Sequence, residues 1–187
     1  MKFLITALLI AGALVASAFA FVYGGIFNVA ADAPHSALTY TIMETIRSRS
    51  IATRAKDVQP PPLDDAALIA AGARHYAAMC GGCHLAPDKR DSEIRAGLYP
   101  QPPDLTKSIP MSPSQEFWVI KHGIKMSGMP AWGVTHDDPS IWGLVAFLQK
   151  LPELTPAQYQ ALAGTERESH NQHLHNPHDR SEKGILK

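Results

Sequence analysis

The sequence predicts an all-α chain. Three observations carry that expectation. An uncharged apolar run extends from Phe3 to Phe27, long enough for a single helix to span a bilayer. Further on, segments with apolar residues at helical spacing follow Ser or Asp residues suited to capping. No strand pattern precedes the two cysteines or surrounds them.

The apolar run has Lys2 before it and continues past Ala20 through Phe21, Val22, Tyr23, Ile26 and Phe27. Its length favours an uncleaved anchor. Ala16-Ser17-Ala18 and Ala18-Phe19-Ala20 are small-residue sites at which a signal peptide is cleaved. Both readings export the rest of the chain, and Lys2 agrees with the positive-inside tendency. We assign 1–28 to this membrane anchor or signal segment. Residues 29–62 form a linker with a helix from Ser36 to about Arg54. Leu38, Ile42, Met43 and Ile46 recur there at helical spacing, and Arg47, Arg49, Arg54 and Lys56 follow. Such a helix suits a membrane surface; packing on the following domain or on a partner subunit fits equally. Pro60-Pro61-Pro62 ends it and marks a boundary.

Residues 63–152 form the central domain. Asp64 or Asp65 caps a helix from Ala66 to Met79, with Leu68, Ile69, Gly72, Tyr76 and Met79 on one face. Residues 85–112 hold five prolines and read as an ordered loop. Ser114 to Lys121 is helical, with Gly123 at its C-terminal end. A second loop covers 125–137. A last helix runs from Ser140 to Lys150, and Pro152 ends it. A domain of this size buries a limited core and is commonly stapled by a bound group. Residues 153–187 are a polar, largely disordered tail, with a short helix after Thr155-Pro156. The tail contains His170, His173, His175 and His178, a tract able to bind a transition metal; a solvated tail is the simpler reading. No internal repeat is visible.

Lys+Arg and Asp+Glu are equal at 17 each, which argues against nucleic-acid binding. The two cysteines are Cys80 and Cys83, in Cys80-Gly81-Gly82-Cys83-His84. Two cysteines at this spacing meet the two vinyl groups of one haem, and the adjacent His84 reaches the iron. A redox dithiol needs a strand and a parallel sheet, and a zinc site needs further ligands at suitable spacing. The pattern therefore predicts one covalent haem c. Met111, Met126, Met129, His122 and His136 are candidates for the second axial position. Methionine opposite histidine suits electron transfer and raises the potential. Met129 is the preferred ligand, because Gly128 permits close backbone approach and Pro130 stiffens the loop.

The segment 63–152 resembles a class I single-haem c-type cytochrome of the membrane-anchored bacterial kind. The resemblance covers about half the chain. It rests on Cys80-Gly81-Gly82-Cys83-His84, the loop Gly128-Met129-Pro130-Ala131-Trp132 and the helix around Ile141-Trp142. It implies a small all-α cytochrome c fold whose first and last helices cross, Gly72 with Tyr76 meeting Trp142 with Phe147. It also implies haem attachment in the periplasm. Pro102-Pro103-Asp104-Leu105 resembles the proline loop of bacterial members, and a carbonyl in it is expected to hold the Nδ1 proton of His84.

The expected function is electron transfer without catalysis, through cofactor-binding Cys80, Cys83, His84 and Met129, with His84 and Met129 on the metal. Expected partners are redox proteins: a donor dehydrogenase or quinol oxidoreductase, and an acceptor oxidase or soluble cytochrome. The expected location is the inner membrane, single-pass with the haem domain in the periplasm, or the soluble periplasm if the N-terminus is cleaved. The alternative is a cytochrome subunit of a larger membrane dehydrogenase or oxidase complex. A haem sensor or enzyme would need a labile methionine, for which Met126 and Met129 leave some room. Arg95, Lys107, Lys121 and Lys125 form a possible docking patch, with ordinary solvation as the simpler reading.

Overall fold

The computed structural model describes residues 1–107 and 110–164. The chain divides into two compact units, Met1–His35 and the part from Ser36 onward. The histidine tract of the tail lies outside the described residues.

The first unit is built on helix α1, Lys2–Tyr23. Its 22 residues, at about 1.5 Å each, make a helix of about 33 Å, close to the hydrocarbon thickness of a bilayer. No side chain of α1 is buried, and among the described residues it is the one helix long and apolar enough to cross a membrane.

Among the described residues of the second unit, the regular elements are all helices or 3-10 turns. Helix α2, Ala37–Ala55, is capped by Ser36, whose Oγ accepts from the Thr39 amide at 3.2 Å. Its C-terminal half packs on a later helix through buried Ile51 and Ala55. Helix α3, Ala66–Met79, is capped by Asp65, which accepts from Leu68 N at 2.7 Å. A single turn, α4 (Gly81–His84), follows directly. Another, α5 (Glu93–Ala96), lies inside the segment that the prolines mark as loop.

Helix α6, Pro113–His122, is the surface on which α2 packs. It begins one residue earlier than the sequence suggests. Ser112 is the cap, in a reciprocal capping box with Gln115. Ser114 instead donates its hydroxyl to Val58 O at 2.8 Å and ties α6 to the end of α2. Helix α7, Asp138–Leu148, is capped by Asp137 and stops before Lys150. Pro152 belongs to a separate 3-10 turn, Leu151–Glu153. A capping box of Thr155 and Gln158 opens α8, Pro156–Ala163. Tyr159 of α8 is buried in the main cluster beside Phe147, and Leu154 and Leu162 pack on that cluster. The packed core therefore extends past Pro152, where the sequence places its end: an aromatic residue in an otherwise polar segment supplies the contact.

The core forms where α3 crosses α7. The backbones meet at two glycines: a Cβ on Gly72 would stand 1.9 Å from the carbonyl oxygen of Gly143. Tyr76 then lies 5.3 Å, centroid to centroid, from Phe147. The expected contact of Gly72 with Trp142 is replaced by Gly72 on Gly143. Trp142 turns to α6 and stacks on Phe117, with centroids 4.1 Å apart and planes 18° apart. Ile141, Leu144, Val145, Phe147 and Leu151 are fully buried around the crossing. At about 1.5 to 3 kcal/mol each, such side chains supply most of the drive to pack.

Glu116 of α6 is buried beside this core and accepts from Gln149 Nε2 at 2.6 Å. Burial pushes its pKa from 4.5 to about 7, against the opposing effect of the Gln149 hydrogen bond. The native state thus holds this proton more tightly than the unfolded chain. The stability it contributes is present below pH 4.5 and is lost as pH rises to about 7.

Two predictions follow from this packing. Gly72→Ala should destabilise the holoprotein by about 2 to 4 kcal/mol in chemical unfolding, whereas Gly97→Ala, which meets nothing closer than 3.8 Å, should change it little. Glu116→Gln should be more stabilising at pH 8 than at pH 5, by about 2 kcal/mol. A variant whose pH dependence matches that of the parent would contradict the assignment.

Candidate haem site

The site is built on the turn that continues α3. Cys83 N and His84 N both donate to Cys80 O, at 3.0 and 2.8 Å, so the two thiols and the imidazole issue from one helical turn. Gly81 is buried, with Tyr76 and Tyr159 3.7 Å from where its Cβ would stand. The hydroxyl of Tyr76 donates to Leu85 O at 2.7 Å and also lies 3.3 Å from His84 O. Ser92 donates its hydroxyl to Gly82 O. The turn is thereby tied to the helix before it and to the segment after it.

The His84 ring is oriented by the proline loop. Nδ1 donates to Pro103 O at 2.9 Å. Leu105 N returns a bond to His84 O at 3.1 Å, so the two segments hold each other reciprocally. Arg95 Nε donates to Pro102 O at 3.2 Å, and Asp104 Oδ1 accepts from Thr106 N and Oγ at 3.1 and 2.6 Å. Burial holds the His84 pKa below the usual histidine value, and Arg95 adds to this against the Pro103 bond. A neutral imidazole with its proton on Nδ1 leaves Nε2 as a lone-pair donor.

The cysteines are unpaired with each other. Burial, with Cys83 alongside, pushes the Cys80 thiol up to about 12. That is the reverse of the depressed thiol found in redox dithiols. This turn offers two thiols and one imidazole, a donor set that fits haem c.

The methionine loop is pinned separately. Gly123 has φ +66°, and a Cβ there would meet Met129 O and Pro130 C at 2.7 Å. Ile124 N donates to Met129 O at 3.1 Å, and Ser127 Oγ accepts from Met129 N at 3.2 Å. Gly128 allows the loop to lie against Leu98, as its close approach requires. Met129 is partly buried and packs on the core. Met126 is 89% exposed. Met111 lies elsewhere, beside Glu116 and Gln149. His122 is exposed next to Trp118, and His136 sits edge-on to both His75 and Trp132.

Residues 67–148 match the model of the family described as cytochrome C oxidase, cbb3-type, subunit III. These residues form a c-type cytochrome domain. No curated protein matches the chain. The cytochrome domain carries covalent haem c and serves haem-based electron transfer with redox partners. Cys80, Cys83 and His84 lie within the matched residues and fit the C-x-x-C-H attachment motif.

Several contributors to the site are not marked in the sequence by residue type. The carbonyl of Pro103 is one of four in the proline loop, and only the fold selects it. Tyr76, four residues before Cys80, reads as a core residue but also clamps the turn. The proposed docking cations are largely engaged within the cytochrome domain. Lys107 pairs with Asp104 at 3.1 Å, Lys121 with Asp138 at 2.6 Å, and Arg95 serves Pro102. Lys125 is exposed.

Tyr76→Phe should lower stability by about 1 to 2 kcal/mol, because a buried carbonyl at Leu85 loses its donor. Chemical unfolding of the holoprotein, followed in the haem absorbance, measures this. An unchanged midpoint would remove Tyr76 from the clamp.

Proposed function

We propose that the protein is a membrane-anchored electron carrier with haem c thioether-linked to Cys80 and Cys83, and with His84 and Met129 as axial ligands. We place α1 in the inner membrane as an uncleaved anchor, with the cytochrome domain in the periplasm. Haem c, when bound, supplies a one-electron couple at iron. The chain's own residues do the rest. The turn Cys80–His84 presents both thiols and the imidazole from one side. Pro103 keeps the His84 proton on Nδ1 and so keeps Nε2 available. The pinned loop offers the Met129 thioether, a weak donor that favours the reduced state and raises the potential. With His84 and Met129 both committed, no position remains for a substrate, and electron transfer is the activity left.

The observation that carries this reading is the contrast between the two methionines. Met129 is packed and held at its own N–H and C=O, whereas Met126 is exposed. A second reading, a cytochrome subunit of a larger membrane oxidase or dehydrogenase complex, is favoured by the match to an oxidase-subunit family. It uses the same site. Recovery of a stable complex after mild solubilisation would favour it, and a monomer would favour the free carrier.

The ligand assignment is tested with Met129→Ala and Met126→Ala. The native reduced protein should be low-spin and indifferent to carbon monoxide. Met129→Ala should bind carbon monoxide and show a lower potential, and Met126→Ala should behave as the parent. Carbon monoxide binding by the native form, or a normal spectrum in Met129→Ala, would overturn the assignment.

A further inference from the structure

Helix α2 has two apolar sides. Ile51 and Ala55 face α6 and are buried. Leu38, Ile42 and Ile46 are 71%, 49% and 58% exposed. At about 100° per residue these three fall within a sector of about 80°, on the side of the helix opposite Ile51 and Ala55. Exposed Arg49 falls inside the same sector. The helix has a single acidic residue, Glu44, which pairs with Arg47, and it continues into Arg54 and Lys56. One face of α2 therefore combines aliphatic side chains with net positive charge, and nothing among the described residues of its own unit covers it.

We infer that the Leu38–Ile42–Ile46 face of α2 docks onto the surface of an anionic lipid bilayer. The inference rests on α1 being a retained anchor. Residues 24–36 join α1 to α2, and so short a segment reaches at most about 45 Å. The helix thus stays near the membrane whatever it binds. Three aliphatic side chains are far short of the roughly 800 Å² per partner that a stable protein interface buries. A covalent tether removes that requirement, because the second contact becomes intramolecular. Arg49, with Arg54 and Lys56 farther along the chain, matches anionic headgroups, and the aliphatic side chains match the acyl boundary beneath them. Docking would hold the cytochrome domain, which α2 carries through Ile51, Ala55 and the Ser114–Val58 bond, at the bilayer surface.

The test uses the full-length holoprotein in vesicles of phosphatidylcholine and phosphatidylglycerol. Single cysteines are introduced by Leu14→Cys in α1, Ile42→Cys on the proposed face and Ser48→Cys on another side of α2, and each is spin-labelled. Ile46→Cys stands in for Ile42→Cys should that variant fail to fold. Collision with oxygen, relative to a water-soluble nickel chelate, reports immersion in lipid. The expected result is a high ratio at Leu14 and a ratio at Ile42 several-fold above that at Ser48. A high ratio at Leu14 with equal, low ratios at Ile42 and Ser48 would overturn the docking while leaving the anchor in place. A low ratio at Leu14 would overturn the anchor and the docking with it.

Discussion

The hydrogen bond from His84 Nδ1 to the carbonyl of Pro103 fixes which face of the imidazole is available, and much of the cytochrome domain serves to keep those two groups together. Left to rotate, a histidine beside two cysteines would present either nitrogen. Here the ring is held from the proline loop, and the loop is held by His84 itself, through its carbonyl and Leu105 N. Arg95 and Asp104 stiffen the same loop from either side of Pro103. Proline suits this role because it limits backbone freedom while leaving its carbonyl free to accept.

The position of that bond depends on the crossing of α3 and α7. Gly72 and Gly143 let the two backbones touch, so Tyr76 reaches both Phe147 and the carbonyls that follow the cysteines. Without the glycines, α3 would ride higher on α7 and its C-terminal turn would miss the proline loop. The remaining helices buttress this pair: α6 through the Phe117–Trp142 stack and α8 through Tyr159. The core is small, and long loops lie outside it. A group bonded to Cys80, Cys83 and His84 and reaching the Met129 loop would join segments that the core alone holds loosely.

Much of this was legible in the sequence because it is local. Helix α3 and its Asp65 cap, the α2 cap at Ser36, the α8 cap at Thr155 and the cysteine turn are all written in adjacent residues. The parts that were not legible depend on partners distant in the chain. Helix α6 starts one residue before Ser114 because Ser112 completes a capping box with Gln115, while Ser114 is drawn to Val58. Gly143 is an unremarked glycine until α3 lies across it. Tyr159 sits in a polar segment, yet it completes the core. Gly123 appears to the sequence as a helix end, whereas in the fold its missing side chain makes room for the Met129 backbone.

The proposal that one haem is held between the cysteine turn and the Met129 loop has a direct spectroscopic signature. It is tested most directly by nuclear magnetic resonance of the reduced holoprotein with its six methionine methyl groups labelled with carbon-13. A thioether bound to haem iron places its methyl in the ring current of the porphyrin. One strongly upfield methyl signal is expected, absent when Met129 is replaced, with the other five near their ordinary positions. Six ordinary signals, or an upfield signal that survives replacement of Met129, would contradict it.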